Sequence, residues 1–420
     1  MSLSQIANPG PKLPQDAAIP PCPHFGPCGG CQLQDLTYAA QLRQKAARLQ
    51  ALLGNTALPL SELKLHSSLP LAYRNRIRLT LAEVAGQLRA GYMSQMTTDN
   101  RQLTTSFLPI AECPIAAPLL WRATEAFLTL CNLQPATRNL QLTPDQLELF
   151  TTADESRLQL SLYLRTALKN PPAKLAAAFA ALCESLRNRI PELTGAGIFF
   201  LPPPSADRSR RTEVARTGPT WGSPGLTYTV PFPQLPTSNQ QPATAFWVPR
   251  GAFFQVNRYL IPDLLALAVD NRTGALAWDL YAGVGFFSRA LAMQFTQVTG
   301  VEISEPAVTA LAATKLTNLR AVKATTLDFL RRAVTQRDRP DLIVLDPPRT
   351  GAGRDVCEFL GRVAAPTIVY VSCSPETLPA DLATLTATGY TVAELHLFDL
   401  FPQTTHIETV AILTRKPAAP

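Results

Sequence analysis

From about residue 250 onward, apolar runs of strand length alternate with helical stretches, and this rhythm limits the fold more than any other feature. The runs ALAWDLYA, VTGVEIS, LIVLDPP and TIVYVSC end in small, acidic or reactive residues. Near-continuous apolar strands are what a parallel sheet covered on both faces requires. Strand-then-helix repetition builds such a sheet, and ligands then bind beyond the C-terminal ends of its strands. The expected fold class is therefore α/β, with a Rossmann-like domain over 250–420.

A chain of 420 residues is long enough for two or three domains, each burying its own core. Residues 1–21, rich in Pro, Ala and Gln, read as a flexible lead-in, and a cysteine-cluster segment follows at 22–35. Helical spacing predicts a helix from Leu36 to Leu53, with Gly54 as its stop. A smaller α+β central domain is expected over 36–249, where PLLWRATEAFLTL and AKLAAAFAALCESL read as helices and LQLSLYLRTAL and GAGIFFL as strands. Arg74, Arg76 and Arg78 alternate with Asn75 and Ile77, which puts their guanidinium groups on one strand face. That face is either solvated or a phosphate-contacting edge, since like charges so close repel unless something relieves them. The Pro-, Ser- and Thr-rich region 201–250, with RSRR at 208–211, reads as long loops at a domain boundary around one strand, LTYTVPF. There is no convincing internal repeat. A net charge of +7 favours an anionic partner, though weakly. No apolar run approaches the ~18 residues of a membrane span, and the first residues lack the regions of a signal peptide. No membrane association and a cytoplasmic location are expected.

Gly283 and Gly285 follow the strand ending near Asp279 and open the helical stretch FFSRALAMQF. Two glycines there let the backbone turn tightly and approach a ligand. Glu302 ends the next strand, where a carboxylate can bind ribose hydroxyls. A dinucleotide oxidoreductase shares these features, but Ser288 stands where its fingerprint needs a third glycine. An adenosine ligand without phosphate needs no pyrophosphate cradle. Asp346-Pro347-Pro348-Arg349 is similar to the DPPY and NPPY motifs of amino-group methyltransferases. Arg349 in place of the aromatic residue argues against that chemistry, and an Asp-Pro-Pro turn can also be purely structural.

Cys373 ends TIVYVSC and Glu408 opens HIETVAIL. If both strands lie in one sheet, a nucleophile and a proton acceptor share a pocket. C5 of a pyrimidine is a poor nucleophile until something adds at C6. A thiolate adding there, followed by removal of the C5 proton, combines covalent and general-base catalysis. Ser374-Pro375-Glu376 reads as the start of a helix whose positive end lowers the Cys373 pKa. The bland alternative is an inert core thiol. Cys131, Cys183 and Cys357 match no motif and are expected to be structural, as is His406.

The motifs AFFQVN, DLYAGVGFFSRALA, LDPPRTGAG, YVSCSPETLPADL and LFDLFPQTTHIETV, in this order, resemble those of the RNA uridine-5 methyltransferase family. The resemblance covers roughly 22–416 and is most specific in the C-terminal third. It implies a class I methyltransferase domain using S-adenosylmethionine, with Cys373 as nucleophile and Glu408 as C5 proton acceptor. Gln255, Tyr281, Glu302 and Asp346 are then cofactor residues, together with Gly283, Gly285, Phe286 and Thr326. Ser374 departs from the asparagine usual after the nucleophile, and Ala282 from a frequent cysteine. The runner-up enzyme is a cytosine-5 methyltransferase, which also uses a cysteine adduct but usually carries its nucleophile in a different motif context. Outside enzymes, the alternative is a catalytically silent iron–sulfur protein that binds RNA.

Cys22-x5-Cys28-x2-Cys31 is spaced like a metal site that wants one more ligand, and Cys113 is the candidate. Family members with such cysteines hold a [4Fe–4S] cluster, and a zinc site can use the same thiolates. The x5 spacing argues against radical methionine chemistry. Gly26, Gly29 and Gly30 suit a tight wrap around a metal. With only 21 residues before Cys22, no OB-like domain is expected there, so RNA contact falls to the central domain. By the same resemblance, whose ribosomal-RNA branches carry such cysteines, 23S ribosomal RNA is favoured over transfer RNA as substrate, and no obligate protein partner is evident.

Overall fold

The computed structural model describes residues 14–54, 63–97, 103–133, 144–166, 174–202, 215–231, 243–269 and 271–415. RSRR at 208–211 and most of the expected lead-in lie outside these residues. Asp16 to Ala18, within that lead-in, are tied down: Ala18 N–H donates to Asp35 O, and Thr37 N–H to Asp16 O. The chain forms two compact units, Met1–Pro70 with Thr326–Pro420, and Leu71–Thr325. The class is α/β, as the strand-helix rhythm predicts.

In the first unit the strands run in the order Leu63–His66, Tyr390–Phe398, Glu408–Arg415, Thr367–Ser372, Leu342–Leu345. The outer pairs are parallel, whereas Glu408–Arg415 is antiparallel to both of its neighbours. Leu342 to Leu345 and Ile368 to Val371 are almost fully buried, which explains their unbroken apolar sequence. Helices Thr326–Gln336, Arg354–Val363 and Leu378–Ala387 belong to the same unit. The helix Tyr38–Leu53 starts two residues later than periodicity suggests, because the Thr37 side chain caps it by accepting from Ala40 N–H.

The second unit holds the parallel strands Gly274–Leu280, Phe295–Glu302 and Leu319–Lys323. It also holds a seven-stranded sheet in the order Leu103–Pro109, Gln87–Thr97, Arg76–Val84, Gln146–Thr151, Leu158–Arg165, Leu193–Leu201, Arg216–Gly222. Five of its six pairings are antiparallel, and one is parallel. Helices Pro118–Leu133 and Leu175–Arg187 share a core with this sheet through Phe127, Phe179, Leu147 and Ile198, which makes it α+β.

Region 201–250 departs from the loop expectation. Beside the foreseen strand, Gly225–Pro231, it contains Arg216–Gly222 and Ala243–Pro249, the last pairing antiparallel with Gly225–Pro231. Leu226, Tyr228 and Val230 alternate into the core with Phe246 and Val248 opposite them. That period-two signal overrides the Pro- and Ser-rich composition around it. No described helix is long and apolar enough to cross a membrane. Phe127 is 1% exposed in the central core, so Phe127→Ala should cost about 3–5 kcal/mol of stability in urea unfolding. A loss below about 1 kcal/mol would contradict that packing.

Candidate active site

The chemistry half of the site lies within the first unit. Strand Thr367–Ser372 pairs antiparallel with Glu408–Arg415 in a register that sets Ser372 opposite Thr409. Continuing that register by one residue sets Cys373 opposite Glu408. Residues so paired stand roughly 4.5–5.5 Å apart at Cα. Cys373 is half-buried and Glu408 is 5% exposed. Asp346, just past the fully buried strand Leu342–Leu345, and Arg349 act on both groups electrostatically.

This environment opposes ionisation. Burial, then the charges of Glu408 and Asp346, push the Cys373 thiol up to about 11, with Arg349 pulling the other way. Burial and Asp346 hold Glu408 well above the usual carboxylate range, again opposed by Arg349. The expected lowering of the Cys373 pKa is therefore not found. The helix after Cys373 begins at Leu378, not at Ser374. In between, Thr377 N–H, its hydroxyl and Leu378 N–H all donate to Ser374 O, a turn that runs directly into the helix. Cys131 and Cys183 are pushed by burial up to about 12, and Cys357 is raised as well, in keeping with structural roles.

The loop after Asp346 is fastened by residues that sequence reasoning missed. Buried Asp381, on helix Leu378–Ala387, accepts from Ala352 N–H (2.8 Å), Gly353 N–H (3.1 Å) and Tyr370 O–H (2.6 Å). Gly351 has φ +78, and a Cβ there would sit 2.7 Å from the Asp381 carboxylate. The sequence signal was faint: one acidic residue inside an otherwise uncharged helix. His406 is exposed, its ring edge-on to Phe401.

Candidate cofactor residues of the second unit stand at the C-terminal ends of the neighbouring strands Gly274–Leu280 and Phe295–Glu302. Past Gly274–Leu280, Tyr281 and Gly283 adopt left-handed backbone with φ of 62° and 54°. A Cβ on Gly283 would meet nothing within 4 Å, so the backbone there is open to a ligand. The Glu302 carboxylate is oriented by N–H donors of Gly283 (3.0 Å), Ile303 (2.8 Å) and Ser304 (2.7 Å). Its remaining lone pairs suit a ribose diol. Gly285 opens helix Phe286–Leu291 with φ +87.

Asp279 is fully buried and pushed up to about 7 by burial, against hydrogen bonds from Ser288. Both the N–H (2.7 Å) and the hydroxyl (2.5 Å) of Ser288 donate to it. Ser288 thus replaces the missing third glycine with a fastening of its own. Phe286 is 7% exposed and packs against Phe246, Phe254 and Phe287. Gln255 follows Phe254, its carbonyl accepting from the Asn75 side chain. Thr326 is buried at the start of helix Thr326–Gln336 in the first unit.

Cys22, Cys28, Cys31 and Cys113 are all half-buried. Turns closed by Phe25 N–H to Cys22 O and Cys28 N–H to His24 O wrap the first two. Among the described residues, no three His, Cys, Asp or Glu side chains stand as a ready metal-binding group. The donor set is chemically suited to iron–sulfur or zinc.

The arginine stripe has an internal partner. Arg78 pairs across the sheet with Glu148 (2.6 Å) and lies over the Tyr163 ring. Arg76 reaches Glu148 at 3.5 Å, donates to Ala252 O and covers Phe150. Arg74 precedes the strand and bridges Ala116 and Asn257 by its backbone. Glu148, not a polyanion, relieves the repulsion between Arg76 and Arg78.

A thiol raised to about 11 should be slow to alkylate in the ligand-free protein. The labelling of Cys373 by iodoacetamide, read by peptide mass spectrometry, should rise about tenfold per pH unit through pH 9. Arg349→Ala should move the inflection further to alkaline pH. An inflection below pH 8 in the unaltered protein would contradict the geometry.

A model of the tRNA (uracil-5-)-methyltransferase family matches residues 240–416. The chain is 28% identical over 397 residues to the 23S rRNA (uracil(747)-C(5))-methyltransferase RlmC of Xenorhabdus nematophila, spanning 92% of this chain and 97% of that protein. It is 29% identical over 398 residues to the enzyme of the same name from Yersinia pestis (strain Pestoides F), spanning 93% and 97%. The crystal structure of Pyrococcus abyssi tRNA (uracil-54, C5)-methyltransferase in complex with S-adenosyl-L-homocysteine superimposes with a TM-score of 0.65 at 21% identity, covering 93% of this chain and 86% of that one, which shows a shared fold. With the motif order now set on this fold, the chain is similar to the RNA uracil-C5 methyltransferases, by the family model over residues 240–416 and by the relatives over most of its length.

Proposed function

We propose that this protein uses S-adenosylmethionine to form 5-methyluridine in 23S ribosomal RNA, with Cys373 as nucleophile and Glu408 as base. The observation that carries this reading is the antiparallel register that sets Cys373 opposite Glu408. The 23S rRNA named for the relatives supports the choice of substrate.

In the proposed mechanism the Cys373 thiol first gives its proton to solvent, its Sγ electron pair then bonds to uracil C6, and the C5–C6 π electrons move onto the O4 carbonyl as an enolate. S-adenosylmethionine supplies the methyl group as an electrophile, and C5 takes it. Glu408 then accepts the C5 proton, the C5–C6 double bond re-forms, and Cys373 leaves as a thiolate. A carboxylate made more basic by burial and by Asp346 is a stronger proton acceptor. Arg349 offsets the accumulating negative charge at both groups. Tyr281, Gly283, Gly285 and Glu302 are proposed to hold the cofactor's adenosine portion, with Gln255, Phe286, Thr326 and Asp346 completing its site.

Nucleoside mass spectrometry tests substrate and reaction together. Cells lacking the protein should lose 5-methyluridine from ribosomal RNA, and the intact gene should restore it where Cys373→Ala does not. Loss from transfer RNA would move the substrate assignment to the alternative family branch. Loss of 5-methylcytidine would replace the target base. No change in any pool, with redundancy excluded, would favour a silent RNA binder. Glu408→Gln should accumulate a covalent complex with ordinary uridine RNA, because the C5 proton cannot leave. Turnover within twofold of the unaltered enzyme would remove Glu408 from this role.

We also propose that Cys22, Cys28, Cys31 and Cys113 ligate a [4Fe–4S] cluster, with zinc as the alternative; thiolate chemistry and the Cys22–Cys28 turns support this. Protein purified without oxygen should carry about four iron and four sulfide per chain. One zinc and no iron would select the other metal, and neither metal would overturn the assignment.

A further inference from the structure

We infer that the helix Tyr38–Leu53, with Gln32 and Leu33 before it, is the positioning frame of the catalytic pair, through Gln41, Lys45 and Arg48. The inference rests on the proposed roles of Cys373 and Glu408. The three side chains are spaced four and three residues apart, so they share one helix face. Every partner they reach in the C-terminal half of the chain lies in the segment leading to Glu408 or the one following Cys373.

Gln41 is 1% exposed. Its side-chain amide donates to Leu36 O (3.0 Å) and to Gln403 Oε1 (2.9 Å), and its Oε1 accepts from Gln403 N–H (3.0 Å). Gln403 has φ +69, a costly conformation for a side-chain-bearing residue, which persists only where surroundings enforce it. Gln403 O is held in turn by the N–H groups of Gln32 and Leu33, both at 3.0 Å. Gln32 Oε1 accepts from Thr405 N–H as well.

Lys45, 2% exposed, forms an ion pair with the fully buried Asp399 at 2.5 Å and donates to Phe401 O at 2.9 Å. A buried ion pair gains little over a packed apolar pair, because both charges lose their water. What it adds is one specific geometry, with the ammonium group shared between Asp399 and a carbonyl two residues on. Arg48 completes the frame. It donates to Thr405 O (3.0 Å), three residues before Glu408, and pairs with Glu376, three residues after Cys373. Glu376 also accepts from the Ser374 hydroxyl. One guanidinium therefore ties both strand-end segments to the same helix.

The six-residue strand pairing sets the register of the thiol and the base, and the frame fixes the segments that lead away from it on either side. Misplacement by about 1 Å costs on the order of 100-fold in rate. Arg48 and Glu376 are partly exposed, so Arg48→Gln spares the core and is the variant of choice.

The test uses the full chain, a 23S rRNA fragment and its 5-fluorouridine counterpart. Arg48→Gln should lower kcat and the rate of covalent adduct formation about 10- to 100-fold. The KM for RNA and the thermal midpoint should stay close to those of the unaltered protein, and Arg48→Lys should recover part of the loss. Gln41→Leu, read the same way, is the second variant. Equal kcat and adduct rates in both variants, with the unaltered enzyme active, would overturn the positioning role and leave the methyltransferase reading intact. A loss that merely tracks a falling thermal midpoint would also overturn it, marking the frame as structural. An unaltered protein that neither methylates nor forms an adduct would sink the underlying reading first.

Discussion

The pairing of Ser372 with Thr409 is the constraint on which the site depends. It lies at the junction of a strand that runs parallel to Leu342–Leu345 on one side and antiparallel to Glu408–Arg415 on the other. Reversal of that last strand brings the beginning of one element beside the end of another. A fully parallel sheet would have put Glu408 at the far end from Cys373. A slip of one residue would turn the side chains to opposite faces.

The same closeness sets the electrostatics. Cys373, Glu408 and Asp346 each become negative on ionisation, and burial strengthens their mutual repulsion. Arg349 opposes that repulsion at both Cys373 and Glu408. A thiol kept protonated at rest reacts poorly with oxidants and alkylating agents, since the thiolate is the reactive form. The Asp381 and Tyr370 hydrogen bonds to the loop after Arg349 therefore matter to chemistry they never touch.

How much of this was legible in the sequence depended on range. The α/β rhythm, the Gly283–Gly285 turn with Glu302, and the places of Cys373 and Glu408 at strand ends are local patterns, and they read correctly. Gln41 with Gln403 and Lys45 with Asp399 are separated by 362 and 354 residues, and no local period betrays such pairs. Arg78 with Glu148, 70 residues apart, escaped for the same reason, so a paired stripe read as an unrelieved one. The raised thiol was missed because the sum of burial and two neighbouring charges is a property of the assembled site. The following helix starts at Leu378, not at Ser374, after a turn in which Ser374 O accepts from both Thr377 and Leu378 N–H.

The most direct test of the Cys373–Glu408 pair is incubation with S-adenosylmethionine and 5-fluorouridine-substituted 23S rRNA fragment, followed by peptide mapping. With fluorine at C5 there is no proton for Glu408 to remove, so a stable adduct should form after methyl transfer and map to Cys373. Folded protein that binds cofactor and RNA yet forms no adduct, or one that maps to another residue, would contradict the assignment of Cys373 as nucleophile.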